Sequence, residues 1–310
     1  MELQYLSTYA TEMDDDLEAI TGTSIESYGS SVETEVRSRL SKKAYFDKVK
    51  SILEHIHRGD IYEVNFCQEF YAENCELDTL SVYQKLNKIS QAPFASYVKL
   101  KDKYLLCASP ERFVKKEADK IIVQPIKGTA RRLEDGVEDR KLADSLAADP
   151  KERAENIMIV DLLRNDLSKN AVKGSVNVEE LCRVYSFKQV HQLISTVVCK
   201  AAQEVHPVDI IKNLFPMGSM TGAPKISAMK IIEEEEVTKR GLYSGAVGYF
   251  SPDNNFDFNV VIRSILYNAG EKYVSFSVGS AITSQSSIDN EFEECLLKAR
   301  ALKEALKNGS

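Results

Sequence analysis

Apolar and polar positions follow two different periods along the chain, and these periods divide it into predicted helices and strands. From Lys42 to Arg58, apolar residues recur at the three- and four-residue spacing of an amphipathic helix. The same spacing predicts further helices over residues 138–147, 150–168, 207–214, 222–236 and 289–307. Strands are predicted over 61–71, 94–100, 103–109, 120–126, 174–178, 191–200, 243–251, 256–267 and 272–282. Hairpin-like strand pairs mixed with long helices indicate an α+β fold with large antiparallel sheets.

The first part of the chain lacks this pattern. Residues 1–40 are polar and rich in Ser, Thr and Glu, with an acidic cluster between residues 12 and 18. We therefore expect residues 1–40 to form a peripheral arm and residues 41–310 to form one compact domain.

Charge and composition narrow the class of protein. A formal net charge of −7 argues against nucleic acid or an anionic membrane as a partner. No apolar run reaches transmembrane length, and no basic, apolar signal pattern opens the chain. The six cysteines include no Cys-x-x-Cys pair, which fits reduced, buried thiols in a cytoplasmic protein.

A lysine at a strand end is the first candidate for chemistry. Lys127 follows the apolar run 121–123, and Pro125 and Gly128 on either side predict that the backbone turns there. Functional residues collect at such positions because a rigid sheet holds the loop. A lysine acts as a nucleophile or base only if its surroundings lower its pKa.

Two helices carry carboxylates beside their apolar faces. Asp149 is a predicted N-cap and Pro150 a first-turn residue, so Glu152 could close a capping box, which we slightly favour over a role in a site. The helix that follows is apolar on nearly every side, which predicts that it is buried. Glu155 shares a face with apolar residues and needs a cation or strong donors, either a core arginine or a ligand.

The last predicted helix repeats this arrangement. Glu291, Glu294 and Lys298 fall on one stripe of it. Alone, Glu294 and Lys298 are more typical of a solvated surface pair. Together with Glu155, they could form half of an oxygen-only Mg²⁺ site.

Two further residues, Lys225 and Arg263, could bind an anion. Lys225 follows the loop 217–224, where Thr221 is a predicted helix N-cap and free N–H groups favour an anion. Arg263 interrupts an apolar strand and could grip a carboxylate, although an edge-strand arginine facing solvent is equally consistent. His191 precedes another strand, where a lone histidine is usually structural.

These segments together resemble one family, the chorismate-utilising enzymes, which include anthranilate, aminodeoxychorismate, isochorismate and salicylate synthases. The matching stretches run in family order over residues 59–65, 109–113, 125–129, 154–166, 191–195, 218–225, 244–250, 263 and 294–300. The resemblance implies an anthranilate synthase component I-like fold, with large antiparallel sheets packed as a sandwich and helices outside. It also implies an N-terminus shorter than is usual in the family, without a tryptophan-binding segment.

Within this family, Lys127 resembles the signature of the branch that aminates chorismate at C4, whereas other branches typically have alanine there. The resemblance implies that Lys127 attacks C2 while Glu111 protonates the departing C4 hydroxyl. Ammonia then adds at C4 and expels the lysine, giving 4-amino-4-deoxychorismate. Because no Gly-x-Cys-x-Gly motif is present, the resemblance implies a separate glutamine amidotransferase subunit as the source of ammonia.

The remaining site residues also follow from the resemblance. Glu155 and Glu294 would hold Mg²⁺, with Glu152 and Glu291 supporting it through waters. His191 would orient groups near the leaving hydroxyl. The expected substrate contacts are the side chains of Ser219, Lys225, Tyr249, Arg263 and Lys298 and the backbone donors of Gly279 and Ala281.

Two departures from the family pattern leave questions open. Glu63 stands where the family usually has glutamine, and the glycine-rich segment 278–283 is thinned. The alternatives to C4 amination are an anthranilate synthase component I, which aminates at C2, and an inactive scaffold subunit for an amidotransferase.

Overall fold

The computed structural model describes residues 35–187 and 190–307, together with Glu18 and Gly22. Most of the expected arm at residues 1–40 therefore lies outside the described residues. The helices are α1 (Lys42–Arg58), α2 (Thr79–Ser90), α3 (Gly136–Ala148), α4 (Pro150–Ser168), α5 (Pro207–Leu214), α6 (Lys225–Glu235) and α7 (Ile288–Leu306).

Two antiparallel sheets form the body of the protein. The first sheet has the order β1-β2-β14-β13-β4-β3, with β10 paired to β2. Its strands are β1 (Arg37–Ser38), β2 (Glu63–Ala72), β3 (Phe94–Leu100), β4 (Lys103–Ser109), β10 (Gly222–Ala223), β13 (Ser264–Asn268) and β14 (Tyr273–Thr283).

The second sheet has the order β11-β12-β5-β6-β9-β7, with β8 paired to β9. Its strands are β5 (Arg112–Glu117), β6 (Lys120–Val123), β7 (Ile126–Arg131), β8 (Asn177–Ser186), β9 (Val190–Lys200), β11 (Ala246–Phe250) and β12 (Phe256–Val260). Together the two sheets and their helices confirm the predicted α+β architecture.

The alternation of side chains along β2 shows how the layers pack. Val64, Phe66 and Phe70 lie in the apolar core shared with helices α1, α2 and α7. Cys67 points the other way and belongs to the core of the second sheet, which also includes α4 and α5. Because successive side chains of a strand face opposite sides, β2 is covered on both faces.

The chain crosses between the sheets at two places where we had predicted otherwise. The strand predicted over 256–267 is two strands, because β12 belongs to the second sheet and β13 to the first. Likewise β4 and β5 lie in different sheets, and β5 had not been predicted. The strand predicted over 120–126 also divides, into β6 and β7. Proline cannot donate to a ladder, so Pro125 ends the pairing there.

The helix predicted to begin near residue 222 begins instead at Lys225. The expected N-cap was wrong, since the Thr221 hydroxyl donates back to the carbonyl of Met217 at 2.9 Å and Pro224 occupies the cap position. Residues 222 and 223 pair with β2 as the short strand β10, which competes with helix formation.

Helix α4 begins as predicted but is not buried all round. The Asp149 carboxylate accepts from the backbone N–H groups of Lys151 and Glu152, and Pro150 opens the first turn. On the far side, Ile157 is 43% exposed. The helix therefore covers the second sheet with one face and meets solvent with the other.

The six cysteines are free and buried, as expected for reduced thiols. Among the described residues, we find no helix whose length and apolar character would let it cross a membrane.

Candidate active site

Two of the crossings between the sheets position two of the predicted site residues. Glu111 lies on the crossing from β4 to β5, and Arg263 lies on the crossing from β12 to β13. The crossings are neighbours, because Val260 donates its N–H to the carbonyl of Glu111 at 3.1 Å and Ala108 donates to that of Arg263 at 3.2 Å. Arg263 adopts a left-handed backbone with φ of 51°, which is uncommon for a residue with a side chain and is often found at functional sites.

Lys127 reaches across from the second sheet to the first. It follows the break at Pro125, in a stretch where the register of β7 against β9 is irregular, and Gly128 takes φ of 80°. The Lys127 ammonium donates to Glu63 Oε1 on β2 at 2.7 Å. Because the side chains are only 10% and 1% exposed, this is a buried ion pair.

The surroundings of Lys127 change its pKa in the direction opposite to the one that a nucleophile needs. Burial lowers the pKa of Lys127, but the charges of Glu63 and Glu155, the hydrogen bond to Glu63 and the charge of Glu111 together raise it above its ordinary value. In the protein without substrate or metal, Lys127 therefore lacks the lowered pKa that a nucleophile or base needs. The sequence carried the signal, since Glu63 replaces the neutral glutamine usual in the family, but the contact joins residues far apart in the chain.

Glu111 has the properties of a general acid. Burial raises its pKa to about 7, although the Ser219 hydroxyl and the charges of Lys127 and Lys298 act to lower it. A carboxyl group with this pKa is protonated in a large fraction of molecules near neutral pH and can donate a proton there. The structure thus brings Glu111, Ser219, Lys127 and Lys298 into one electrostatic environment.

The predicted metal-binding carboxylates lie on two helices. Glu152 and Glu155 are on α4, and Glu291 and Glu294 are on α7. Burial raises the pKa of Glu155 to about 7, and its buried Oε1 atom has no hydrogen-bond partner. Lys151 connects the two helices, 3.9 Å from Glu155 and 3.6 Å from Glu291.

These carboxylates have the oxygen donors that suit Mg²⁺, but their arrangement does not form a complete coordination site. Oxygen ligands and a buried acceptor without a partner suit this hard cation. Even so, no group of three or more Asp, Glu, His or Cys residues in the described ranges is arranged to hold a metal. Glu152 also packs on the turn that carries Lys127, because a Cβ at Gly128 would lie 3.0 Å from its Oε2 atom.

Strand β14 presents backbone donors beside this cluster. The Lys298 ammonium donates to the carbonyl of Gly279 at 2.7 Å and forms an ion pair with Glu294. The residue opposite Gly279 on β2 is Cys67. The Cys67 N–H donates to the Glu236 carboxylate and not to Gly279. Since N–H and C=O of one strand residue point to the same side, the N–H groups of Gly279 and Ala281 point away from β2.

Gly279 itself cannot be larger. A Cβ there would lie 2.5 Å from Cys67 Sγ and 2.7 Å from the carbonyl of Phe66. The glycine is therefore required by the close approach of β2. The glycine-rich segment 278–283 is part of the regular strand β14, in agreement with the strand predicted over 272–282.

Two other predicted site residues, Lys225 and Tyr249, lie in different surroundings. The Lys225 ammonium contacts Asp166 and the carbonyls of Pro216 and Leu214 at 2.8 Å and 3.3 Å. These contacts use its three donors within the protein and give it a structural role. Tyr249 on β11 is 65% exposed.

His191 is also held by protein partners. Its ring nitrogens lie 3.0 Å from Asp139 Oδ1 and 2.8 Å from Ser186 Oγ, and the residue is buried. We find no direct hydrogen bond from His191 to Lys127 or Glu111 among the described residues. Its predicted catalytic role remains a prediction.

A buried carboxyl group with a raised pKa, a buried lysine and a group of carboxylates lie where the two antiparallel sheets meet, which is typical of an enzyme site. The comparison with known families agrees, since the chorismate binding enzyme family matches residues 5–304. The chain belongs to this family.

Curated relatives extend the comparison. Aminodeoxychorismate synthase component 1 of Salmonella typhimurium is 39% identical over 272 residues, which cover 88% of this chain and 59% of the relative. Anthranilate synthase component 1 of Aquifex aeolicus is 36% identical over 271 residues, covering 87% of this chain and 54% of the relative. The chain thus spans little more than half the length of these relatives.

A solved structure shows the same fold. Anthranilate synthase component I from Streptococcus pneumoniae superposes with a TM-score of 0.83 at 27% identity, covering 97% of this chain and 67% of that one. This likeness confirms the predicted component I-like architecture.

Proposed function

We propose that this chain is the chorismate-binding catalytic component of an aminodeoxychorismate synthase, which converts chorismate and ammonia to 4-amino-4-deoxychorismate. The proposal rests on the position of Lys127, which is buried between the sheets. Its ammonium donates to Glu63 Oε1 at 2.7 Å, and the negative charge of Glu111 acts to raise its pKa. The identities of 39% and 36% to the two kinds of relative are too similar to separate C4 from C2 amination.

The roles of the two central residues follow from their surroundings. Hydroxide is a poor leaving group, so the C4 hydroxyl needs a proton as it departs, and Glu111 with its pKa of about 7 can supply it. Lys127 attacks C2 after losing a proton, and this covalent bond divides one difficult displacement into two easier steps. Glu63 is the acceptor in direct contact with the lysine proton. Ammonia then bonds to C4, and the bond between C2 and the Lys127 nitrogen breaks.

We further propose that Mg²⁺ is the cofactor. Glu155 and Glu294 would hold it, with Glu152 and Glu291 in support. When bound, the ion would attract the ring carboxylate of chorismate and offset negative charge in the site. It would also remove part of the carboxylate charge that raises the pKa of Lys127, because Glu155 contributes to that rise.

The second carboxylate of chorismate has donors in the structure. The Arg263 guanidinium is partly buried, and none of the described carboxylates is within ion-pair distance of it. The free N–H groups of Gly279 and Ala281, the Ser219 hydroxyl beside Glu111 and Lys298 supply further donors. Tyr249, although exposed, completes the predicted set.

The source of ammonia is proposed from the relatives. Two of them are named component 1, which supports a second subunit, and we propose a glutamine amidotransferase as that partner. Ammonium salts should replace this subunit in the test tube, because the proposed reaction uses only free ammonia.

One experiment decides the position of amination. The purified chain is incubated with chorismate, Mg²⁺ and ammonium, and aminodeoxychorismate lyase is then added. We expect 4-aminobenzoate that forms only with the lyase. Anthranilate formed without the lyase would favour the second candidate, an anthranilate synthase component I, and no turnover at high ammonium would favour the scaffold subunit.

The Lys127→Ala variant tests the covalent step. Without the amine, no bond to C2 can form, so lyase-dependent 4-aminobenzoate should fall below detection while the thermal unfolding transition stays cooperative. The matched control is Lys141→Ala, whose ammonium pairs with exposed Glu138 on α3 and which should leave the yield of 4-aminobenzoate unchanged. Undiminished C4 amination by Lys127→Ala would exclude the covalent role.

A further inference from the structure

Lys151, in the first turn of α4, directs its ammonium among the four carboxylates proposed to hold Mg²⁺. The Nζ atom lies 3.9 Å from Glu155 Oε1 on the same helix and 3.6 Å from Glu291 Oε1 on α7. The charges of Glu152 and Glu294 also act on it. An ammonium group of the protein thus lies beside the carboxylates proposed to hold the cation.

The contacts of Lys151 are too long to satisfy these acceptors. Both separations exceed hydrogen-bond length, and Glu155 Oε1, in a residue that is 8% exposed, has no hydrogen-bond partner. A buried carboxylate oxygen without a donor is costly. The lysine therefore offsets charge while leaving this acceptor available, and Mg²⁺ would bind such oxygens at about 2.0–2.1 Å.

We propose that Lys151 is an internal competitor of Mg²⁺, holding the carboxylates of α4 and α7 together without metal and leaving when the ion binds. This inference rests on the proposed Mg²⁺ dependence. A dication held by Glu155 and Glu294 would lie close to an ammonium that contacts Glu155 and Glu291, and the two cations would repel strongly.

The structure gives the lysine somewhere to go. A cavity of about 350 Å³ is lined by both Lys151 and Glu155, with Tyr62, Met158 and Gln285 among its other walls. The Lys151 side chain is already 41% exposed. The ammonium can therefore move into water by rotation of its own flexible side chain, without movement of either helix.

Magnesium titration of the Lys151→Met variant tests the competition. Methionine keeps much of the length and apolar character of the lysine stem but has no charge. Isothermal titration of the metal-free chain, without chorismate, should show Mg²⁺ binding about tenfold more tightly than in the wild type, since about 1.4 kcal/mol of competing attraction corresponds to tenfold. The control is Lys141→Met on α3, whose ammonium pairs with exposed Glu138, and it should leave Mg²⁺ affinity unchanged.

A second measurement uses the wild-type chain alone. Saturating Mg²⁺ should speed the reaction of Lys151 with an amine-directed reagent, read by peptide mass spectrometry, while Lys141 labelling stays constant. Unchanged or weaker Mg²⁺ affinity in Lys151→Met, or unchanged Lys151 labelling, would overturn the competition and leave the proposed function standing. If neither wild type nor variant binds Mg²⁺, the proposed cofactor and this inference both fail, whereas the product test with lyase is judged separately.

Discussion

Glu63 changes the chemistry expected of Lys127 more than any other single residue. A neutral glutamine at this position would leave burial and the more distant carboxylates to set the pKa of the lysine. The glutamate instead makes a direct, buried ion pair at 2.7 Å. Lys127 is therefore charged in the free protein, and it must lose a proton before it can attack a carbon atom.

Replacing Glu63 with glutamine should lower the pKa of Lys127. An opposite charge at contact distance shifts a pKa by about 1 to 3. Without the charge of Glu63, the lowering of the Lys127 pKa by burial is opposed less strongly. Labelling of Lys127 by a small amine reagent, followed across pH by mass spectrometry, should reach half its maximum at lower pH by about that amount.

The control for this experiment is Glu235→Gln. Glu235 is also buried but pairs with Lys48 at 3.0 Å, so its loss should leave the labelling profile of Lys127 unchanged. An equal or higher half-labelling pH in Glu63→Gln would show that Glu63 does not keep the lysine charged.

Among the helices and strands, those with a clear local pattern were predictable and those set by distant contacts were not. Helices α1, α4 and α5 have the predicted bounds because apolar period, caps and proline agree there. Two crossings between the sheets were missed. Over residues 256–267, for example, the apolar run 260–262 joins two strands without a Gly or Pro while the sheet changes. The contact of Lys127 with Glu63 depends on the same long-range arrangement.

Strand β14 offers a test of the tight packing beside the site. Gly279→Ala should destabilise the protein by about 1–3 kcal/mol, the usual cost of overpacking, because the new methyl group would meet Cys67 Sγ at 2.5 Å. Urea denaturation measures the change in the free energy of unfolding. Gly136→Ala, at a position where a Cβ meets nothing within 4 Å, is the control and should be neutral or slightly stabilising.

For the whole molecule, the buried acid makes stability depend on pH. The folded-state pKa of Glu111 is raised to about 7, so between about pH 4.3 and 7 the folded state holds more protons than the unfolded state. Its contribution is therefore most favourable at low pH and is lost as the pH rises through 7. The opposing charges of Lys127 and Lys298 reduce this effect but do not reverse it.

The Glu111→Gln variant isolates this contribution. Without Mg²⁺, the free energy of unfolding of the wild type, relative to the variant, should fall by an amount on the order of 3 kcal/mol between pH 5 and 8. Denaturant titrations at each pH measure it. A constant difference across this range would mean that Glu111 keeps an ordinary pKa and is not suited to act as the acid.

The order of strands in the first sheet has a consequence for synthesis of the protein. Its longest ladder joins residues 63–72 to residues 274–283, while the second sheet is built from the chain between them. On the ribosome, β2 therefore emerges long before the strand that completes it. Its apolar face needs protection until β14 has been made.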